Sequence, residues 1–342
     1  MSDRHAALHN GPARAVAEAS TNIALVKYWG KRDARLNLPA VGSLSLTLDG
    51  LSTRTEVRFD PALGADALFL GGEAVTGKPL ARVSAFLDLV RTEADVSAHA
   101  EVRSANNFPT AAGLASSASG FAALALAATA AAGLSLDGKS LSRLARRGSG
   151  SAARSIFGGF VLLHRGERDD GADCFAEPIE DRGSWIKDVR MVIAAAGEAK
   201  KSTLSTDGMD HTAATSPYFA AWTASQPSDL ALARHAIARN DLAALGEIAE
   251  ASCLAMHASA LAARPGVLYW SGATVEGFHA VRALRKAGTP AWFTNDAGPH
   301  VKALCGAADA EKVAATLSDV PGITRTWICA PGPAARLVEE PA

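Results

Sequence analysis

Alternating and helically spaced apolar positions predict a mixture of strands and helices along the first half of the chain. Leu44, Leu46 and Leu48 alternate with Ser45 and Thr47, a period of two that is typical of a strand with one buried face. The same patterns predict further strands at 22–28, 54–59, 98–104 and 159–163, and helices at 80–90, 120–132 and 140–147.

The second half continues this mixture. Strands are predicted at 189–195, 291–294 and 324–329, and helices at 216–225, 228–240, 241–259, 272–287, 301–305 and 310–317. Ser228 and Asp241 are the predicted caps of the helices at 228–240 and 241–259. Because strands and helices do not alternate strictly, the predicted fold class is α+β. A boundary near residue 187 divides the chain into domains 1–187 and 188–342. Residues 1–19 are expected to form a frayed arm, and the tail from Pro331 a loose terminus.

The composition of the chain limits which binding partners and which cellular compartment we expect. The chain has 342 residues and a net charge of -1, so no chain-wide field draws it to nucleic acid or to an anionic membrane. The longest apolar run, 121–134, is shorter than the roughly 18 to 20 residues that span a bilayer. Residues 1–19 contain no apolar leader, and the four cysteines form no C-x-x-C pair. We therefore expect a protein of the reducing cytoplasm without disulfides.

A loop of small residues, 109–120, runs directly into an apolar helix. Such a junction presents unpaired N–H groups and serine hydroxyls at the positive end of a helix dipole, which suits a polyphosphate; an ordinary serine-capped turn remains the alternative. The segment 72–79 matches the Walker A pattern up to Lys78, but Pro79 replaces the hydroxyl residue that ligates magnesium. A hairpin turn is the better interpretation of that segment.

Four other segments carry candidate chemistry. Lys27 and Lys31 flank two aromatic residues, a setting that suits an anionic ligand or simply a solvated surface. Segment 148–155 offers hydroxyls and the guanidinium of Arg154 for a carboxylate or phosphate, with helix capping as the alternative. Segment 200–206 is either a phosphate-binding stretch or a wet loop. Asp296 follows a strand and is either a general base or the cap of a following helix.

In this order, these segments closely resemble the diphosphomevalonate decarboxylase family of the galactokinase, homoserine kinase, mevalonate kinase and phosphomevalonate kinase (GHMP) superfamily. The matching blocks are 22–33 (NIALVKYWGKRD), 106–117 (NNFPTAAGLASS), 148–159 (GSGSAARSIFGG) and 296–299 (DAGP). The resemblance implies a GHMP-kinase fold, with an N-terminal nucleotide-binding domain like ribosomal protein S5 domain 2 and a ferredoxin-like C-terminal domain. It also implies ATP-dependent decarboxylation of mevalonate 5-diphosphate to isopentenyl diphosphate.

The resemblance assigns roles residue by residue. ATP, accompanied by Mg²⁺, would be held by the loop and helix start, namely Pro109, Ala112, Gly113, Leu114, Ser116 and Ser117. The substrate would be held by Tyr28, Lys31, Ser149, Ser151, Arg154 and Ser205. Asp296, Lys27 and Arg154 would be the catalytic residues, and no residue is predicted to be a direct metal ligand. The resemblance further suggests a homodimer.

Three alternatives remain open. Leu204 replaces a serine that is frequent in the family beside Ser205, so mevalonate 5-phosphate is a second possible substrate. A small-molecule kinase of the same fold would stop at the phosphorylated alcohol. A nucleotide-binding sensor without chemistry is the third alternative, because fold alone does not establish function.

Overall fold

Two long antiparallel strands, β1 (Ala13–Val26) and β4 (Ser43–Asp60), form the centre of the first sheet. The computed structural model describes residues 13–108, 116–180, 185–197 and 203–339. The strand order is β14–β1–β4–β7–β5–β6, and β8 and β9 extend the sheet from β4. The remaining strands of this sheet are β5 (Ala67–Leu70), β6 (Glu73–Ala74), β7 (His99–Asn106), β8 (Phe160–Leu163), β9 (Ala176–Pro178) and β14 (Arg336–Leu337). A separate hairpin joins β2 (Lys31–Asp33) and β3 (Leu38–Pro39).

The helices α1 (Lys78–Ala94), α2 (Ser116–Ala131) and α3 (Gly138–Gly148) share a hydrophobic core with the first sheet. Helix α2 lies directly on β1 and β4 and is buried almost all round. Its predominance of alanine lets the backbone approach the strands closely. A 3₁₀ helix at Gly150–Ile156 follows α3 and also packs on α2. This arrangement places the start of α2 beside the segment that carries Arg154.

The second sheet has the order β11–β12–β10–β13 and is antiparallel throughout. Its strands are β10 (Val189–Ala196), β11 (Ala291–Thr294), β12 (Val301–Gly306) and β13 (Ile323–Cys329). The helices of this half are α4 (Ser205–Thr215), α5 (Phe219–Ala238), α6 (Leu242–Leu261), α7 (Gly272–Lys286) and α8 (Ala310–Ser318). Short 3₁₀ helices lie at Trp185–Asp188 and Ala307–Asp309.

One hydrophobic cluster joins the two halves. It combines Ile23 and Leu46 of the first sheet with Ile193 of the second and with Ile237 and Leu245 of α5 and α6. These side chains are almost fully buried, so the two sheets are held against each other by a continuous core. A cleft between them therefore has walls fixed by packing on both sides.

Most of the predicted strands and helices are present, and the Asp241 cap is confirmed because its Oδ1 accepts from the backbone N of Ala244 at 2.9 Å. The hairpin interpretation of 72–79 is confirmed in part, since β5 and β6 form a hairpin and α1 begins at Lys78. Every helix within the described ranges is too short or too polar to cross a membrane.

Two helix predictions were wrong. Residues 301–305 form strand β12 instead of a helix. All five positions are buried and all but Lys302 are apolar, so the run has no diagnostic period. Residues 216–225 and 228–240 were predicted as separate helices, with Ser228 as a cap, but α5 continues through Pro227. Both flanks of Pro227 carry helical sequence, so the expected interruption does not divide the helix.

The predictions for both chain ends were also wrong within the described residues. Residues 13–19 belong to β1, where Ala15 and Ala17 alternate with Arg14 and Glu18. The tail is anchored as well, because β14 pairs with β1 and the backbone N of Gly332 donates to the carbonyl of Thr47 at 2.7 Å. Residues 1–12 and 340–342 lie outside the described residues.

Candidate active site

A cavity of about 500 Å³ lies between elements of the two sheets. Every predicted site residue that the structure describes contributes to its lining. These residues are Lys27, Tyr28, Lys31, Ser116, Ser117, Ser149, Ser151, Arg154, Ser205 and Asp296. The four other predicted residues, Pro109, Ala112, Gly113 and Leu114, lie outside the described residues. Side chains from distant parts of the sequence thus meet at one cavity.

Asp296 lies in the turn between β11 and β12, with 28% of its side chain exposed to the cavity. Its Oδ1 is 2.9 Å from Nζ of Lys27, and its Oδ2 is 3.0 Å from Nζ of Lys302. Burial by itself would raise the pKa of Asp296, but the two ammonium charges outweigh burial and hold that pKa well below its usual range. A strand follows Asp296, so the helix-cap alternative is wrong.

Lys27 follows the last residue of β1, and its side chain is only 2% exposed. Its Nζ donates to the carbonyl of Ala24 at 2.8 Å as well as to Asp296, while its backbone N donates to Oγ of Ser252 at 3.1 Å. These bonds anchor the ammonium at the floor of the cavity. The solvated-surface alternative is therefore wrong for Lys27.

The guanidinium of Arg154 is buried and its three nitrogens are held by two side chains. Nε and Nη2 donate to Oδ1 of Asn22, both at 3.2 Å, and Nη1 donates to Oγ of Ser43 at 2.6 Å. Its carbon Cζ lies 5.9 Å from the ring centroid of Tyr28. Burial lowers the pKa of Arg154 to about 10, so the group stays cationic at neutral pH. These contacts use three of its five N–H donors.

Tyr28 packs over Gly150 at the cavity wall. A Cβ at position 150 would lie 2.1 Å from the hydroxyl of Tyr28, so glycine is required there for the ring to take this position. The hydroxyl is buried and makes no hydrogen bond to the described residues. Burial raises the pKa of Tyr28, which keeps the phenol protonated and available as a donor.

The remaining lining groups are hydroxyls and one further lysine. Ser149 and Ser151 lie beside each other with 3.4 Å between their Oγ atoms. Lys31 lies on β2, and burial lowers its pKa. Ser116 and Ser117 are the first described residues of α2, whose N–H groups point towards the cavity end of the helix. Ser205 begins α4, a helix that was not predicted; segment 200–206 was interpreted as either a phosphate-binding stretch or a wet loop.

Comparison with known proteins assigns both halves of the chain. Residues 19–176 match the model of the diphosphomevalonate decarboxylase-like N-terminal domain, and residues 191–331 match the mevalonate 5-diphosphate decarboxylase C-terminal domain. The chain belongs to the diphosphomevalonate decarboxylase family. The GHMP-kinase fold predicted from the sequence is thereby confirmed.

Individual members of the diphosphomevalonate decarboxylase family match nearly the whole chain. The Aspergillus fumigatus diphosphomevalonate decarboxylase is 38% identical over 90% of this chain and 81% of its own length. The crystal structure of mevalonate diphosphate decarboxylase from Staphylococcus aureus is 38% identical, with a TM-score of 0.92, covering 97% of this chain and 100% of that one. A solved complex of MDDEF with MVAPP, AMPPCP and magnesium is 42% identical, with a TM-score of 0.90 over 96% and 100% of the two chains.

The diphosphomevalonate decarboxylase family also has a relative with a different named substrate. The Haloferax volcanii phosphomevalonate decarboxylase is 34% identical over 92% of this chain and 95% of its own length. Similarity of sequence alone therefore does not separate the monophosphate from the diphosphate.

A smaller cavity of about 220 Å³ adjoins the first in this member of the diphosphomevalonate decarboxylase family. The two cavities share Arg82, Ser116 and Ser117, and the smaller one is otherwise walled largely by apolar side chains such as Leu68 and Phe121. Arg82 donates to the carbonyl of Gly148 at 2.6 Å and lies over the ring of Phe121 at 4.5 Å. Among the described residues, no group of three or more His, Cys, Asp or Glu side chains is placed to hold a metal ion.

Three residues of the site were missed by sequence reasoning. Asn22 and Ser43 hold Arg154, and Lys302 is the second cation on Asp296. Asn22 begins the first matched block, but nothing local to it indicates a partner 132 residues away. Lys302 had a usable signal: it is the one charged residue in an apolar run, which in a buried strand must find a partner.

Proposed function

We propose that this protein is an ATP-dependent carboxy-lyase that converts mevalonate 5-diphosphate to isopentenyl diphosphate, ADP, phosphate and CO₂ in the mevalonate pathway. The observation that carries the proposal is the meeting of Asp296, Arg154 and the start of α2 at a single cavity. Together these groups supply an acceptor for a hydroxyl, a cation for a carboxylate and donors for a phosphate. The names of the similar solved structures, and the ligands of the MDDEF complex, agree with this chemistry.

Asp296 is proposed to accept a hydrogen bond from the tertiary hydroxyl of the substrate. With its pKa held well below the usual range, this carboxylate is a weak base, so its main contribution is to align the oxygen for attack on the γ-phosphorus. As the hydroxyl oxygen bonds the γ-phosphorus, the bond from that phosphorus to ADP breaks and the hydroxyl proton passes to Asp296, so the hydroxyl becomes a phosphate leaving group. When that group departs, the electrons of the carboxylate C–C bond form the new double bond and CO₂ is released.

Arg154, Ser149 and Ser151 are proposed to bind the substrate carboxylate. Two N–H donors of Arg154 remain beyond its contacts to Asn22 and Ser43, which suffices for a bidentate pair. Because those contacts fix the plane of the guanidinium, the C–C bond that breaks is held in one orientation. Lys27 is proposed to keep Asp296 ionised and to stabilise the charge on the transferred phosphoryl group.

The phosphates are proposed to occupy two ends of the cavity. Tyr28, Lys31 and Ser205 would hold the substrate diphosphate, and the ATP triphosphate would lie at the α2 start, against Ser116 and Ser117 with Pro109, Ala112, Gly113 and Leu114. Hydroxyls rather than clustered carboxylates line this end, which fits a Mg²⁺ ion carried mainly by phosphate oxygens. The apolar cavity beside Arg82 suits the nucleotide base.

A product assay tests the proposal. Purified protein is incubated with ATP, Mg²⁺ and mevalonate 5-diphosphate, and ADP and CO₂ are measured together. Release of both in equal amounts is expected. ADP without CO₂ would replace the proposal by a small-molecule kinase, and release of neither product would favour a nucleotide-binding sensor.

Decarboxylation of mevalonate 5-phosphate is a second candidate, favoured by Leu204. This side chain is 65% exposed at the cavity, immediately before Ser205, where a hydroxyl would be a better partner for a second phosphate. We therefore compare kcat/KM for the two substrates. A higher value for the diphosphate is expected, and a higher value for the monophosphate would assign the second activity, as in the Haloferax volcanii relative.

The remaining assignments are proposals at the level of the cell and the chain. We propose a cytoplasmic homodimer, with neither nucleic acid nor membrane as a partner. We also propose domains of 1–187 and 188–342, because β10 is the first strand of the second sheet. Strand β14 of the second domain would then pair back with β1 of the first.

A further inference from the structure

Asp296 is held by two buried lysines, although one would neutralise its charge. Lys27 contacts Oδ1 and Lys302 contacts Oδ2, and the two side chains are 2% and 1% exposed. The group of three residues therefore carries one net positive charge. Ion pairing alone does not account for the second lysine, because a buried ammonium has a large desolvation cost.

Lys302 occupies a position where an aliphatic side chain would fit the fold. It lies on β12, between β11 and β10, and is paired with Thr294 and Ile193. Its neighbour on the same face two residues along, Leu304, belongs to the apolar core that joins the two halves. Burial lowers the pKa of Lys302, with Asp296 opposing this effect. A charge at this position therefore destabilises the fold, so we attribute its presence to an effect on Asp296.

The geometry of the Asp296 carboxylate indicates the role of Lys302. Each carboxylate oxygen has two lone pairs, and one on each oxygen is taken by a lysine. We infer that Lys302 is a positioning residue: together with Lys27 it clamps both oxygens of Asp296, which fixes the plane of the carboxylate and directs an unused lone pair at the substrate hydroxyl. This inference rests on the proposed function, and it assigns Lys302 no direct contact with the substrate.

The other titratable groups around Asp296 do not compete for its oxygens. His257 on α6 is neutral, because burial and the charge of Lys27 lower its pKa to about 3. Cys253 is protonated, because burial raises its pKa, and it exchanges hydrogen bonds with the backbone of Asn295. Arg154 is turned towards Asn22 and Ser43. The clamp therefore consists of the two lysines.

Lys302→Met tests the inference, since methionine keeps the length of the side chain and removes its charge. We expect kcat to fall about tenfold, because a carboxylate held at one oxygen samples unproductive orientations. The KM values for ATP and for mevalonate 5-diphosphate should stay within about twofold of the wild type. The melting temperature should be unchanged or higher, because the remaining Lys27–Asp296 pair is neutral. Lys312→Met is the control for the loss of a lysine outside the cavity: Lys312 is an exposed residue of α8 that bonds Thr289, and its loss should leave kcat unchanged.

A double-mutant cycle with Asp296→Asn shows whether Lys302 acts through Asp296. If it does, Lys302→Met should have less than about a twofold effect on kcat in the Asp296→Asn background. An undiminished tenfold effect in that background, or a wild-type kcat in Lys302→Met alone, would overturn the inference. A wild-type protein that releases no CO₂ from either mevalonate phosphate would instead overturn the proposed function, so the two failures are distinguishable.

Discussion

Two nitrogens of Arg154 share one acceptor, Oδ1 of Asn22, at 3.2 Å each. Asn22 is oriented in turn by its own amide, which donates to the carbonyl of Ser151 at 3.1 Å and to Oγ of Ser155 at 2.8 Å. Asn22, on the long strand β1, thus holds the guanidinium of Arg154 in place against the 3₁₀ helix to which Arg154 belongs. The side chain is preorganised before a ligand arrives, as its proposed role in binding the substrate carboxylate requires.

Arg154→Lys should reduce kcat at least about a hundredfold. One ammonium cannot bond Asn22 and Ser43 and also form a bidentate pair with a carboxylate. Steady-state kinetics with mevalonate 5-diphosphate measure the effect. The control is Arg146→Lys, which changes an equally buried arginine that bonds the carbonyls of Leu36, Gly171 and Cys174 outside the cavity. It should lower stability with little change in kcat, and an active Arg154→Lys would make Arg154 structural.

Asp296→Asn should lower kcat at least about a hundredfold and leave the affinity for ATP nearly unchanged. An amide offers one acceptor oxygen, and its NH₂ group would face the ammonium of either Lys27 or Lys302. Single-turnover kinetics report the chemical step, and calorimetric titration of the nucleotide reports its binding. Circular dichroism establishes that the variant is folded. Turnover at the wild-type rate in a folded variant would remove Asp296 from the mechanism.

The site was predictable where its residues stand in contiguous motifs. Arg154 and Asp296 stand in blocks of characteristic sequence, and Ser117 stands at a loop-to-helix junction whose chemistry is local. Lys302 was missed because it stands alone in a run that was interpreted as a helix. The contacts of such an isolated residue depend on strand register: Lys302 faces Asp296 only because β12 is a strand paired with β11.

The fold was predictable to a similar extent. Alternation identified the two ends of β4, at 44–48 and 54–59, and the same signal is present at 13–19, where it was overlooked in favour of a frayed terminus. The anchoring of the tail had no local signal, because β14 is two residues long and depends on its partner β1. Tertiary packing decided these cases, as it does for short edge strands in general.

Tyr28→Phe should raise KM for mevalonate 5-diphosphate about tenfold with kcat nearly unchanged, because the lost hydroxyl would bond a charged phosphate in both the ground and transition states. Stability should not fall, since the hydroxyl is buried without a partner among the described residues. Steady-state kinetics and thermal unfolding measure the two effects. Tyr218→Phe is the control, because Tyr218 is 60% exposed and lies outside the cavity lining. A lower melting temperature with an unchanged KM would give Tyr28 a packing role alone.

His257 should make the fold sensitive to acid. Its ring lies 4.9 Å from that of Trp270, and its Nε2 is 3.4 Å from the carbonyl of Asn295, next to Asp296. Burial, aided by the charge of Lys27, lowers its pKa to about 3, whereas the unfolded chain has a pKa of about 6.5. The unfolded state therefore binds a proton first, and the stability that is present above about pH 6.5 is lost as the pH falls towards 3.

His257→Gln should remove this part of the acid sensitivity while keeping a donor for Asn295. Between pH 7 and pH 5, proton uptake by His257 in the unfolded state lowers the free energy of unfolding of the wild type by about 2 kcal/mol. Over the same interval the variant should lose about 2 kcal/mol less. Urea unfolding at several pH values measures both slopes. If the free energy of unfolding falls equally steeply with decreasing pH in both proteins, then His257 takes up a proton in the folded state. The buried ring of His257 would then be accessible to water.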